Sequence, residues 1–175
     1  MPKGPFLPSE FVPTKFSPAA DKADFGNALL HFLDAGCGRD LFTNKLYTRL
    51  SMTFGNIAHN DIHDFYSTWF TRDRHRVAFI EKILRWPCHG DPEFTFSDVE
   101  HAVQRVVCER NYLARYQLKA AEALRAAEIG ELERLEAKYR LPQGNEGAVP
   151  TTEPPHTEAE SEHIPPAIPA QINLF

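Results

Sequence analysis

Cysteines and long apolar runs are both scarce in this sequence. Its 175 residues include three cysteines, Cys37, Cys88 and Cys108, and an odd, sparse set does not provide the disulfide framework of a small secreted protein. The N-terminal residues are interrupted by prolines and lack the apolar run of a signal peptide. No segment approaches the roughly 20 consecutive apolar residues of a transmembrane helix. We therefore expect a protein of the reducing cytoplasm that does not enter a membrane.

Basic residues are absent after Arg140. The last 35 residues contain no lysine or arginine, but they hold five of the 24 acidic residues. These five are Glu146, Glu153, Glu158, Glu160 and Glu162. The preceding 140 residues are left with 19 acidic and 19 basic side chains. A neutral body gives no bulk electrostatic attraction to nucleic acid.

Proline and glutamate dominate residues 142–170, which contain few large apolar side chains. Such a segment cannot bury enough surface to offset the entropy lost on ordering. We predict a disordered acidic linker, extended by its prolines and by charge repulsion.

Prolines also shape residues 1–17. They are Pro2, Pro5, Pro8 and Pro13. Because proline fixes φ and removes an amide donor, this arm is predicted to be extended rather than helical. Phe6, Phe11 and Phe16 recur every five residues. They either pin the arm onto the body or are incidental aromatics of a frayed terminus.

Between residues 18 and 141, apolar residues recur at helical spacing. The pattern predicts an all-α protein: a compact domain of about five helices with a long C-terminal helix, flanked by disordered N- and C-terminal segments. The first helix is predicted to start at Ser17, with Pro18 in its first position, and to stop at Gly36.

Three further helices follow in the predicted domain. The second covers residues 41–54, before Gly55. Asn60 or Asp61 is predicted to cap the third helix. Thr71 is predicted to cap the fourth helix, which cannot continue through Pro87.

One long helix is predicted from Ser97 to about residue 138. Ser97 and Glu100 have the spacing of a capping box, in which each side chain bonds the other residue's amide. Residues 118–138 are dense in strong helix formers, and Gly130 is the weak point at which the helix bends or breaks. Its interrupted apolar stripe lacks a clean heptad, but residues 98–140 could still pair with a second chain as a homo-oligomer.

Large apolar side chains return in the last five residues, which we call the hook. The hook comprises Gln171, Ile172, Asn173, Leu174 and Phe175. Exposed Leu and Phe on a disordered tail invite sticking, and their natural use is docking into the pocket of a partner protein. The alternatives are a chance apolar terminus, one that folds back onto the body, or a peptide for some other receptor.

The hook resembles the bacterial sliding-clamp-binding motif, a pentapeptide close to Gln-Leu-(Ser or Asp)-Leu-Phe. In this resemblance Gln171 hydrogen-bonds at one end of the clamp groove, and Leu174 and Phe175 fill its hydrophobic pocket. Ile172 replaces the usual Leu, and Asn173 stands where Ser or Asp is usual. The eukaryotic motif needs two further aromatic residues, so a bacterial, phage or plasmid context is expected. The resemblance implies a role in DNA replication or repair.

Four side chains in the body are weak candidates for a zinc site. They are His59, His63, Cys88 and His89. Imidazole and thiolate are the preferred ligands of zinc, but Cys-x-x-Cys and His-Glu-x-x-His are both missing. The alternative is a capped helix start with surface histidines, and we expect no metal and no cofactor.

A cluster of basic residues lies on the predicted fourth helix, beside Trp69 and Phe70. It consists of Arg72, Arg74, Arg76, Lys82 and Arg85. Arginines beside aromatic rings can hold phosphates and stack on bases, which makes DNA contact possible. The alternative is an ordinary solvated helix face.

Motifs of nucleophilic catalysis and phosphate binding are missing, since neither Gly-x-Ser-x-Gly nor a phosphate loop occurs. We therefore expect no enzyme. The leading hypothesis is a non-enzymatic adaptor or regulator that docks on the sliding clamp through its hook. The alternatives are a DNA-binding helical regulator and a small zinc-dependent protein.

Overall fold

The computed structural model describes residues 4–55 and 61–140, and this part of the chain is all helical, as predicted. Its α-helices are α1 (Ala19–Asp34), α2 (Asn44–Leu50), α3 (Ile62–Phe70), α4 (Asp73–Arg85), α5 (Ser97–Glu109) and α6 (Tyr112–Tyr139). Two short 3-10 turns, Pro8–Glu10 and Arg39–Leu41, accompany them. The predicted linker and the hook lie outside the described residues. None of the described helices is both long enough and apolar enough to cross a bilayer.

Phenylalanine rings from four segments form the centre of the core. Phe70 of α3 lies edge-on to Phe32 of α1, with ring centroids 4.8 Å apart, and to Phe79 of α4 at 4.7 Å. Phe42, between the Arg39–Leu41 turn and α2, stacks on Phe65 at 5.7 Å. All five rings are buried. Edge-to-face and offset contacts add to the free energy that burial of these rings contributes.

The described part of the N-terminal arm packs against α1. Phe6 and Phe11 are buried and meet edge to face, with centroids 5.7 Å apart. Asn27 bonds both backbone groups of Phe6: its Oδ1 accepts the amide at 3.0 Å and its Nδ2 donates to the carbonyl at 2.9 Å. Phe16 is 87% exposed. The prediction that these rings hold the arm on the body is therefore confirmed for Phe6 and Phe11 and wrong for Phe16. The arm also contains a 3-10 turn at residues 8–10, where extended chain was predicted.

Several predicted helix ends are confirmed. α1 ends just before Gly36, which adopts φ +76°, a conformation that glycine allows at little cost. The Asp61 carboxylate caps α3 by accepting the amides of His63 and Asp64 at 2.6 and 2.8 Å. The Thr71 cap was wrong, because its hydroxyl donates instead to the Ser67 carbonyl at 2.7 Å and α4 begins two residues later.

The predicted capping box at α5 is wrong. Ser97 is the first residue of α5 and its hydroxyl donates to the Gly90 carbonyl at 2.6 Å. The Glu100 carboxylate accepts two amides from other segments, those of Phe54 and Cys88. Both side chains therefore make tertiary rather than local hydrogen bonds.

The predicted single helix over 97–138 is in fact two. Asn111 adopts φ +51°, which separates α5 from α6, and asparagine is one of the few residues that takes this conformation readily. α6 continues unbroken through Gly130. Tyr112 and Tyr116 anchor the start of α6: their hydroxyls donate to Asp34 Oδ1 at 2.6 Å and to the Leu33 carbonyl at 2.7 Å.

Candidate functional site

The predicted partner-binding residues fall outside the part of the chain that the structure describes. They are Gln171, Ile172, Leu174 and Phe175. The sites that can be examined geometrically are the basic cluster, the zinc candidates other than His59, and a groove that the sequence did not indicate.

The five residues of the basic cluster do not all lie on one face of α4. Arg76 is half-buried: its Nε donates to the Phe70 carbonyl at 2.8 Å and its Nη1 contacts Asp73 at 2.8 Å. It joins α3 to α4 and is not available to a phosphate. Arg72 precedes the first turn of the helix. The other three residues are Arg74, Lys82 and Arg85, which fall within about 80° of one another around a helix with 3.6 residues per turn.

The zinc candidates make other contacts where the structure describes them. His63 Nδ1 lies 3.0 Å from the Arg39 guanidinium, so this ring nitrogen accepts a hydrogen bond. Cys88 Sγ accepts the Gly90 amide at 3.3 Å, and the His89 ring lies against the His101 ring with centroids 5.1 Å apart. Within residues 4–55 and 61–140, no group of three or more His, Cys, Asp or Glu side chains could hold a metal ion.

Cys37 is a buried thiol at the junction of α1 and α6. The Tyr116 hydroxyl donates its one proton to Leu33, so in the 3.3 Å contact between Cys37 Sγ and Tyr116 Oη the thiol is the donor. Burial raises the pKa of Cys37 to about 11. The thiol is protonated near neutral pH and has a structural role, since the thiolate is the nucleophilic form.

A groove of about 290 Å³ lies between α1 and α2. Phe25, Ala28 and Leu46 contribute apolar surface to it, and its charged side chains carry both signs. Lys45 Nζ stands 3.7 Å from Asp21 and 3.5 Å from Asp24. Mixed charge over an apolar surface is suited to a small amphipathic group, but the charges already pair with one another. The second helix was predicted over residues 41–54, but α2 covers only Asn44–Leu50. The sequence therefore did not indicate this groove.

Arg49 borders the same groove and lies over the ring of Phe96, the residue just before α5. Its guanidinium lies 3.8 Å from the centroid of Phe96, which is close enough for a cation–π interaction. Burial lowers the pKa of Arg49. The guanidinium still remains charged at any physiological pH, so it serves to hold α2 against the start of α5.

Lys22 of α1 is fully buried. Its Nζ lies 2.9 and 3.0 Å from the two Asp98 carboxylate oxygens and donates to the Pro92 carbonyl at 2.8 Å. Asp98 Oδ2 also accepts the Val12 amide at 3.0 Å. The pair therefore joins α1, α5, the loop before α5 and the N-terminal arm.

Comparison of the chain with protein family models, curated proteins and solved structures finds no match.

Proposed function

We propose that this chain is a non-enzymatic cytoplasmic adaptor or regulator that docks on the bacterial sliding clamp through residues 171–175. One observation carries the proposal. In this sequence Gln171, Leu174 and Phe175 have the identities and spacing of the three main positions of the clamp-binding pentapeptide. The proposed role is to bring the helical body to the clamp, or to compete with other proteins for its groove, during DNA replication or repair.

The energetics suit a reversible contact. Full burial of Leu174 and Phe175 contributes about 1.5–3 kcal/mol each. Immobilising a five-residue peptide offsets a large part of this gain. Burial of Ile172 and the hydrogen bonds of Gln171 would add to these contacts. We expect a net dissociation constant on the order of micromolar, which allows exchange between proteins that share one groove.

The composition of residues 142–170 supports a role as a tether. Prolines favour the extended polyproline conformation, at about 3.1 Å per residue. In that conformation the 29 residues between the body and the hook would span about 90 Å. The glutamates repel one another and oppose collapse. The proposal therefore assigns recognition to the hook and reach to the linker.

Deletion of residues 171–175 should abolish capture of a purified bacterial sliding clamp by the immobilised chain. The deletion removes the side chains that are proposed to fill the groove, while α1 to α6 should keep their helical circular dichroism. The matched control is the double variant Ile164→Ala, Ile168→Ala, which removes apolar surface from the same tail and should leave capture unchanged. Equal capture with and without the hook would refute the proposal.

Contact with DNA is a second candidate function, favoured by the shared face of Arg74, Lys82 and Arg85. If this face binds phosphates, the double variant Arg74→Glu, Arg85→Glu should weaken DNA retention about tenfold or more at low salt, and retention should fall as salt rises. Arg105→Glu on α5, which changes another exposed arginine, is the control. Retention that ignores both salt and the double variant would exclude this face.

A further inference from the structure

α6 leaves the body after Tyr116. Tyr112 and Tyr116 are buried, whereas every residue from 121 to 140 is exposed. The exposed side chains include five large aliphatic ones: Leu118, Leu124, Ile129, Leu132 and Leu135. A helix that is solvated on all sides needs no such residues, and an exposed apolar strip of this length is a typical protein contact surface.

These side chains occupy one side of α6. At 3.6 residues per turn, Leu118, Leu132 and Leu135 lie within an arc of about 100°. The arc points about 180° away from Tyr112 and Tyr116, which face the body. A second helix can therefore lie along the arc without displacing the packing of α6 on the body.

A heptad register runs through the arc. Counting Leu118 as position a, the a and d positions from 114 to 135 are Ala114, Leu118, Ala121, Arg125, Glu128, Leu132 and Leu135. Two charged residues, Arg125 and Glu128, interrupt an otherwise apolar seam of about three heptads. They are adjacent seam positions of opposite charge, and they lie near its centre.

Opposite charges at the centre of the seam select the orientation of a partner helix. In a parallel pair, each seam residue meets its own copy, so Arg125 would face Arg125 and Glu128 would face Glu128. In an antiparallel pair, position a meets position d of the partner helix. One antiparallel register places Leu118 opposite Leu135 and Ala121 opposite Leu132. The same register places Arg125 opposite Glu128.

We propose that α6 pairs antiparallel with α6 of a second copy of this chain, in the register that places Arg125 opposite Glu128. The two-fold symmetry generates this ion pair twice, side by side at the centre of the seam, with apolar layers on either side. The inference does not depend on clamp docking. Both dimer and monomer carry the hook, so failure of either proposal leaves the other intact.

Sedimentation of the intact chain across a concentration series tests the pairing. A reversible dimer is expected, and Leu132→Glu should shift the chain to monomer because it places a charge in an apolar layer. Since Leu132 is exposed in the monomer, helical circular dichroism should not change. The matched control is Leu7→Glu, at a leucine exposed on the N-terminal arm, which should leave the dimer intact.

Charge reversal tests the orientation. Arg125→Glu should raise the dimer dissociation constant about 100-fold or more, because it creates two like-charge contacts at the centre of the seam. Adding Glu128→Arg to the same chain should restore the original value, since the pairs are then formed with reversed polarity. A monomer at every concentration would overturn the proposal and leave another protein as the partner of the seam. A dimer indifferent to Arg125→Glu, or one that survives Leu132→Glu, would overturn it as well.

Discussion

Replacing Lys22 with methionine should lower the free energy of unfolding by about 3–5 kcal/mol. The Lys22 side chain is 0% exposed, and its amine neutralises the Asp98 carboxylate, whose side chain is only 16% exposed. Methionine keeps most of the apolar stem but removes the charge and all three hydrogen bonds. Asp98 is then left as a largely buried charge without its cation, which costs far more than the loss of an exposed ion pair.

Urea unfolding followed by circular dichroism provides the measurement, and Lys45→Met provides the matched control. Lys45 also lies near two aspartates, but its side chain is 67% exposed. Its replacement should change the free energy of unfolding by less than about 1 kcal/mol. If Lys22→Met and Lys45→Met have equally small effects, the buried Lys22–Asp98 pair does not stabilise the fold.

Replacing Glu100 with alanine should cost about 2–6 kcal/mol of stability. Glu100 Oε2 accepts the Phe54 amide at 3.0 Å and the Cys88 amide at 2.8 Å. Alanine leaves the amides of Phe54 and Cys88 without their acceptor. Each unsatisfied amide costs about 1–3 kcal/mol where it is buried. Phe54 adopts φ +49°, a conformation that is unfavourable for a bulky residue and depends on such external support.

Glu100→Gln is the informative partner variant, because its side-chain carbonyl can still accept both amides. Burial raises the pKa of Glu100 above its ordinary value near 4.5, although both amides and nearby His89 oppose the rise. Between pH 4.5 and the raised pKa of the folded state, Glu100 is protonated in the folded protein but ionised in the unfolded chain. The free energy of unfolding therefore falls as the pH rises through this window. Glutamine should retain most of the stability and remove this part of the pH dependence. A glutamine variant as unstable as the alanine variant would contradict the hydrogen-bonding role.

Periodicity and local capping chemistry predicted much of the fold. The apolar spacing indicated α1, α3, α4 and α5, and Gly36 and Asp61 act where their backbone preferences indicated. These features depend on neighbours within one or two turns, so a single sequence contains the information.

The features that were missed depend on residues distant in the sequence. Ser97 and Glu100 have capping-box spacing, yet their partners are Gly90, Phe54 and Cys88. The spacing alone cannot distinguish a local acceptor from a tertiary one. The buried position of one lysine, Lys22, also depends on a carboxylate 76 residues away.

The break between α5 and α6 was missed for a different reason. The sequence around Asn111 contains neither glycine nor proline, and helix formers on both sides predict one continuous helix. Asparagine tolerates φ +51°, and burial of Tyr112 and Tyr116 favours the change of direction. Gly130, the expected weak point, has no heavy atom near the position of a Cβ and lies within a continuous helix.

Titration of a labelled peptide covering residues 166–175 into a purified bacterial clamp tests the proposed binding of residues 171–175 to the sliding clamp most directly. We predict a saturable rise in fluorescence anisotropy with a dissociation constant on the order of micromolar. The peptide with Leu174→Ala and Phe175→Ala should bind about 100-fold more weakly, and the intact chain should displace the labelled peptide. No saturation up to about 500 μM, or equal affinity of the two peptides, would contradict the claim.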